Sequence, residues 1–252
     1  MSRSATRIDY DRVHVLLLDI EGTTTPIDFV YKTLFPYASR EVESFLREHS
    51  DSHEIASLIG DLRAQRNADE ASGSQPTAWR DDDAGEATIL SAVDYVCWLM
   101  AKDSKCTALK SLQGRIWQQG FEEGELHGEV YDDVAPAFAR WRKQGREICI
   151  YSSGSVLAQR LLFGSLSSGD LTPYISNYFD TQVGVKTAAE SYRKIGVALG
   201  RRADEILFVS DAAKEIAAAI EAGMQVALCV RDGAENTSGF DVIRSFEEIR
   251  LR

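Results

Sequence analysis

The chain has 252 residues, 44% of them hydrophobic and 27% charged, enough for one large domain or a core with a smaller insert. A net charge of −11 argues against a nucleic-acid or anionic-membrane partner, which needs clustered Lys and Arg, and leaves open a small anionic substrate met by a local cation. No apolar run reaches the length of a membrane span and the opening MSRSATRIDYDR has no signal-peptide core; Cys97, Cys106, Cys149 and Cys229 form no CxxC pair, so a cytoplasmic protein with reduced thiols is expected.

The first element in the chain is residues 13–19 (VHVLLLD), a short apolar run closed by an acid. It suits a buried parallel strand whose C-terminal end opens into a site. Residues 24–127 then read as helices, with apolar residues at helical spacing over 29–45, 87–101 and 108–121, and a polar loop over 67–85. From Gly128 the pattern alternates. Strands are expected over 147–152 (EICIYS), 206–211 (ILFVSD) and 226–230 (VALCV). Helices are expected over 135–144, 156–163, 188–199 and 212–222, with Gly145 and Gly223 where helix C-caps want them. Alternating short strands and amphipathic helices predict a doubly wound, Rossmann-like parallel α/β core. Residues 1–24 and 128–252 are assigned to that core, and residues 25–127 to a helical cap inserted after the first strand. Ligands of open α/β sheets bind at the carboxyl ends of strands, so an insert leaving from such an end is expected to act as a lid.

Four strand or loop ends carry candidate chemistry. Asp19 and Glu21 lie in DIEGTTTPID, where Gly22 permits a tight turn. A carboxylate can accept a phosphoryl group, and a second acid can protonate the leaving oxygen and then deprotonate water; such a pair can equally cap a following helix. Ser152, Ser153 and Gly154 end the second apolar run, with hydroxyls and N–H groups suited to phosphate oxygens or to an ordinary N-cap. Lys186, in GVKTAAESYRKI, is a solvated surface lysine unless the other groups gather around it and need a cation. Asp211 ends ILFVSD, with Glu215 four residues on. Mg²⁺ takes one or two carboxylates, and Asp211 beside Asp19 would supply them, whereas alone it reads as a cap.

Asp-x-Glu-Gly-Thr, then Ser, then Lys, then Asp at successive strand ends resembles the haloacid dehalogenase-like phosphatase superfamily, and the insert resembles that superfamily's helical cap. The strings DIEGTTTPIDFVYKTLFPYA, IYSSGSVLAQRLLFG and ESYRKI are similar, over nearly the whole chain, to the enolase-phosphatases (acireductone synthases) of methionine salvage. The resemblance is weakest over residues 67–85. It implies a Mg²⁺-dependent enzyme that enolises 2,3-diketo-5-methylthiopentyl-1-phosphate, a small phosphorylated diketone, and then removes its phosphate. Asp19 matches the nucleophile and a metal ligand. Glu21 matches the general acid/base, its main-chain carbonyl a metal ligand. Ser152 and Ser153 match the phosphate-binding hydroxyls, Lys186 the neutralising cation and Asp211 the remaining metal ligand. Glu215 stands where many members carry a further acid orienting the metal or its waters, and Ser210 where Gly or Thr is common. The family is often monomeric. A generic capped phosphatase for another small phosphomonoester would share every core residue. A dehalogenase would need neither Glu21 nor Asp211.

Other candidates are set against plainer readings. His49 and His53 have i, i+4 spacing and suit a solvated face. His127 is a linker histidine or an enolisation base. Phe29 and Tyr31, close in sequence to Asp19, are candidate pocket residues, whereas Phe35, Tyr95, Trp98 and Trp117 suit a helical core.

Overall fold

The computed structural model describes residues 8–80, 85–102, 104, 106–232 and 239–252. Part of the expected polar loop, residues 81–84, and the opening seven residues lie outside the described residues. The chain divides into two compact units, Met1–Phe29 with His127–Arg252, and Val30–Leu126.

In the first unit the elements in chain order are β1 (Ile8–Tyr10), β2 (Val15–Leu18) and a single helical turn, α1 (Ile27–Phe29). The second unit follows as a π-helical turn (Val30–Leu34), α2 (Phe35–Glu48), α3 (His53–Ala71), α4 (Glu86–Ala101) and α5 (Thr107–Glu122). The first unit then resumes with α6 (Val134–Lys143), β3 (Glu147–Tyr151), α7 (Val156–Gly164), β4 (Asn177–Phe179), α8 (Ala189–Leu199), β5 (Ile206–Ser210), α9 (Ala213–Glu221), β6 (Gln225–Cys229), β7 (Val242–Ile243) and β8 (Ile249–Leu251).

Six strands form one parallel sheet in the order β4-β3-β2-β5-β6-β7, and β1 pairs with β8 in a separate ribbon. The four expected strands are the four inner ones. Each is covered on both faces, so each reads as a continuous apolar run. Val15, Leu17, Cys149, Tyr151, Ile206 and Phe208 face Tyr192 and Ile195 of α8 and Ile216 of α9. The alternate residues Leu16, Leu18, Ile148, Ile150, Leu207 and Val209 are equally buried, and α6 packs against β3. Cys149 and Cys229 lie in this core, where burial pushes each thiol up to about 12. The edge strands β4 and β7 and the ribbon were not expected; they are two or three residues long and too short to show a period.

The helical unit departs from expectation at α3. This helix begins eight residues after the predicted first helix ends, and its last five residues, 67–71, fall in the stretch read as a polar loop. Only Ile55 and Leu62 of α3 are fully buried, so its apolar stripe is too thin to read from spacing. His49 is the C-cap of α2, stacked on Phe45, while His53 opens α3, so the two histidines do not share a helix face. Within the unit, the Trp117 indole N–H donates to the Leu34 carbonyl at 2.8 Å, and the Tyr95 hydroxyl donates to Asp69 at 2.6 Å. Gly120 lets α5 approach α2: a Cβ there would lie 2.5 Å from the Tyr37 hydroxyl.

Candidate active site

Strand order determines where the candidate residues meet. From β2 the chain builds outward through β3 to β4, then crosses back to β5 on the other side of β2. The carboxyl ends of β2 and β5 therefore flank the switch point where a doubly wound sheet binds ligands. Leu18 is level with Ile150 on one side and with Val209 on the other. Asp19, just past β2, is thus brought to the same edge as Ser152 and Ser153 on one side and Ser210 and Asp211 on the other.

Asp19 is 5% exposed, and both carboxylate oxygens are engaged. Oδ1 accepts the Ile20 N–H at 2.7 Å and lies 2.6 Å from Lys186 Nζ; Oδ2 accepts the Ser210 hydroxyl at 3.0 Å. Residues 20–25 fold into a turn in which the Ile20 carbonyl accepts the N–H groups of Thr23, Thr24 and Thr25, and Gly22 N–H donates to the Thr25 carbonyl. Gly22 sits at φ 69°, and a Cβ on it would fall 2.2 Å from Asp211 Oδ2. Only glycine combines that backbone with that approach. The turn carries Glu21, which is partly exposed, past Asp211.

Lys186 is not a solvated surface lysine. Its side chain is 9% exposed, and Nζ lies 2.6 Å from Asp19 Oδ1 and 2.7 Å from Glu215 Oε2. Burial pulls its pKa down, but Asp19 and Glu215 outweigh burial and hold the ammonium above the ordinary lysine value. Three donors fix its loop. The Tyr151 hydroxyl donates to the Gly184 carbonyl at 3.0 Å, Ser191 to Val185 at 2.8 Å and Tyr192 to Lys186 at 2.7 Å. Sequence reasoning missed these supports, although Ser191 and Tyr192 stand inside ESYRKI. It also set Ser210 aside. Its hydroxyl faces Asp19 Oδ2 and Glu215 Oε2, each at 3.0 Å, and donates to one of them at a time while accepting the Ala212 N–H.

Glu215 thus touches the lysine and Ser210. Burial, then the charge of Asp19, raises its pKa. Ser152 is buried, and its hydroxyl accepts the Gly154 N–H at 3.2 Å. Ser155, not Ser152 or Ser153, caps α7 by accepting the Ala158 N–H, so the N-cap role leaves the two earlier serines to other work. Among the candidates outside this edge, Phe29 is buried, Tyr31 is half-exposed against Phe35, and His127 is exposed.

The donor set fits a small divalent cation. Burial first, then the charges of Asp19, Glu215 and Glu21, push the Asp211 carboxyl up to about 7 against the pull of Lys186. An excess of carboxylate that one lysine leaves unbalanced is what a hard cation relieves. Among the described residues no three acidic, histidine or cysteine side chains form a ready cage. Mg²⁺ needs none, since it is held by one or two carboxylates and completed by water and phosphate.

A buried aspartate, a lysine bridging it to a second acid, and strand-end hydroxyls on a doubly wound sheet define the class. The haloacid dehalogenase-like hydrolase model matches residues 13–223. Within that class, the chain is 47% identical to the enolase-phosphatase E1 of Synechococcus elongatus over 94% of its own length and 98% of the relative's. It is 43% identical to that of Xenopus tropicalis over 95% of each. The crystal structure of the Saccharomyces cerevisiae UTR4 protein superposes with a TM-score of 0.75 at 31% identity, covering 93% of this chain and 99% of that one. The chain belongs to the enolase-phosphatase E1 family of haloacid dehalogenase-like hydrolases.

Proposed function

We propose that this enzyme converts 2,3-diketo-5-methylthiopentyl-1-phosphate to acireductone and phosphate in methionine salvage, through an aspartyl phosphate on Asp19. The observation that carries the phosphatase half is Lys186 at 2.6 Å from the buried Asp19 carboxylate, at the switch point of the sheet. That pair supplies a nucleophile and the charge that a phosphoryl group needs beside it. The enolase half rests on the family.

Asp19 attacks phosphorus in line, and the bond to the leaving oxygen breaks. Lys186 offsets charge on the equatorial oxygens, and the hydroxyls of Ser152 and Ser153 hold them. Glu21 gives its proton to the leaving oxygen, then takes one from the water that hydrolyses the aspartyl phosphate. Magnesium, held by Asp19, Asp211 and the Glu21 main-chain carbonyl, would supply positive charge to the phosphate and to the enolising oxygens. The core residues are those any phosphatase of the class needs, so the choice of the diketone as substrate rests on the family. The same reading takes the enzyme as a cytoplasmic monomer. No helix among the described residues is long and apolar enough to cross a membrane.

Two measurements test this. Phosphate release from the diketone phosphate should far exceed release from a panel of sugar phosphates and nucleotides; a flat panel would leave a generic phosphatase. Glu21→Gln keeps the backbone carbonyl, so it should still enolise the substrate and accumulate the phosphorylated enol, seen by ultraviolet absorbance, while phosphate appears slowly. Equal loss of both steps would make Glu21 the carbon base as well.

A further inference from the structure

Arg231 lies two residues past β6 and has no place in the chemistry above. Its side chain is 7% exposed. Nε and Nη2 both donate to the main-chain carbonyl of Thr23, at 3.0 and 2.7 Å. Nη1 donates to Asp133 Oδ2 at 2.7 Å. The guanidinium lies over the rings of Tyr131 and Phe246, at 4.3 and 4.7 Å from their centroids. Asp133 Oδ2 is anchored in turn, accepting from the Ser245 hydroxyl at 2.9 Å and from the Phe246 N–H at 2.6 Å.

Burying an arginine–aspartate pair is costly and, for stability alone, often no better than apolar packing. In this one Nη1 also reaches the Arg244 carbonyl at 3.3 Å, but Nε and Nη2 converge on one carbonyl in the turn after the nucleophile. Thr23 is two residues past Glu21 and adjoins Gly22, where a Cβ would run into Asp211. The turn's own hydrogen bonds set its shape: the Ile20 carbonyl takes three N–H groups, and the Thr24 hydroxyl donates to the Asp19 carbonyl at 3.0 Å. They do not set where the turn sits on the unit. Past Asp19, the ties that do include the Tyr131 N–H on the Thr24 carbonyl, at 3.0 Å, and the Arg231 fork on Thr23.

We infer that Arg231 is a positioning residue, clamping the turn so that the Glu21 carboxyl reaches the leaving oxygen and the attacking water. The inference rests on the acid/base role proposed for Glu21. A positioning defect should slow phosphoryl transfer far more than enolisation, to which the turn lends only the Glu21 carbonyl beside the Asp19 and Asp211 carboxylates, whereas a general weakening of the unit would slow both alike or neither.

The test is Arg231→Lys, which keeps the charge beside Asp133 but cannot deliver two convergent N–H groups to one carbonyl. Wild type, Arg231→Lys, Asp133→Asn and Glu21→Gln are compared on the diketone phosphate, following enol absorbance and free phosphate together, with circular dichroism to confirm folding. Arg231→Lys should enolise at near the wild-type rate, release phosphate on the order of 10- to 100-fold more slowly and accumulate the enol, with KM little changed. Asp133→Asn, which loosens the clamp from behind, should do the same to a smaller degree. A folded Arg231→Lys that releases phosphate normally, or that loses both steps equally, overturns the clamp. So does failure of both Arg231→Lys and Asp133→Asn to fold, since the pair is then a structural brace. If Glu21→Gln accumulates the enol and Arg231→Lys does not, only the clamp fails. If Glu21→Gln itself does not, the reading of Glu21 fails beneath it.

Discussion

The helical unit and the edge of the α/β unit both carry ion pairs, and they do opposite things with them. In the helical unit, Arg47 reaches Glu43 at 2.9 Å and Glu86 at 2.6 Å, but its side chain is 40% exposed and theirs 50% and 48%. Water and salt screen such pairs, and ordering long side chains offsets most of the gain. At the strand ends, the side chains of Lys186, Asp19 and Glu215 are 9%, 7% and 15% exposed. One ammonium there serves two carboxylates, with Asp211 and Glu21 contributing further negative charge. An exposed pair decorates a fold that would form without it. A buried cluster stores an electrostatic imbalance that a phosphate and a cation can exploit.

Breaking the cluster at its centre should have the largest effect. Asp19→Asn is expected to fold and to lose at least about 10⁴-fold in phosphate release, because an amide does not attack phosphorus. Activity near wild type in a phosphate assay would remove Asp19 from the mechanism. Lys186→Met should come next: it leaves two buried carboxylates without their cation and should cost about 3–5 kcal/mol in denaturant unfolding. Adding Glu215→Gln should recover part of that loss, since one of the stranded charges is gone. If the single and double variants are equally unstable, the bridge is not what stabilises this edge.

A smaller effect is a pH dependence. The folded pKa of Asp211, about 7, lies above its ordinary value of 3.8, so the folded protein keeps a proton that the unfolded chain releases. The contribution of this group to stability is therefore greatest below about pH 4 and is lost as pH rises through 7. In chelator, thermal melts between pH 5 and 8 should show that decline, and Asp211→Asn should flatten it. On the proposed metal site magnesium would displace the same proton, so its dissociation constant in titration calorimetry should rise roughly tenfold per pH unit below 7 and level off above. A flat profile would mean the carboxyl is ionised throughout. The smallest effect belongs to the helical unit: Arg47→Ala should shift the melting temperature by no more than about 2 °C, and less in high salt. A shift as large as that of Lys186→Met would erase the contrast between the two regions.

Much of this arrangement was legible in the chain. Inner strands buried on both faces read as apolar runs ending in Asp19, Ser152 and Asp211, and a turn after Asp19 demanded Gly22. Those signals are local, carried by the period of a strand and the space around one backbone atom. Elements that lacked a local signal were missed. β4 and β7 are too short to show a period, and α3 buries only Ile55 and Leu62 fully.

What only the tertiary structure decided are the pairings across the sheet. Nothing near Lys186 in the chain shows that it is buried between Asp19 and Glu215, or that Ser210 faces both acids. Nothing near Arg231 shows that its fork ends on a carbonyl 208 residues away. Such contacts arise when strand order brings distant carboxyl ends to one edge, and burial there gives each charge a strength and a partner that no local pattern of residues records.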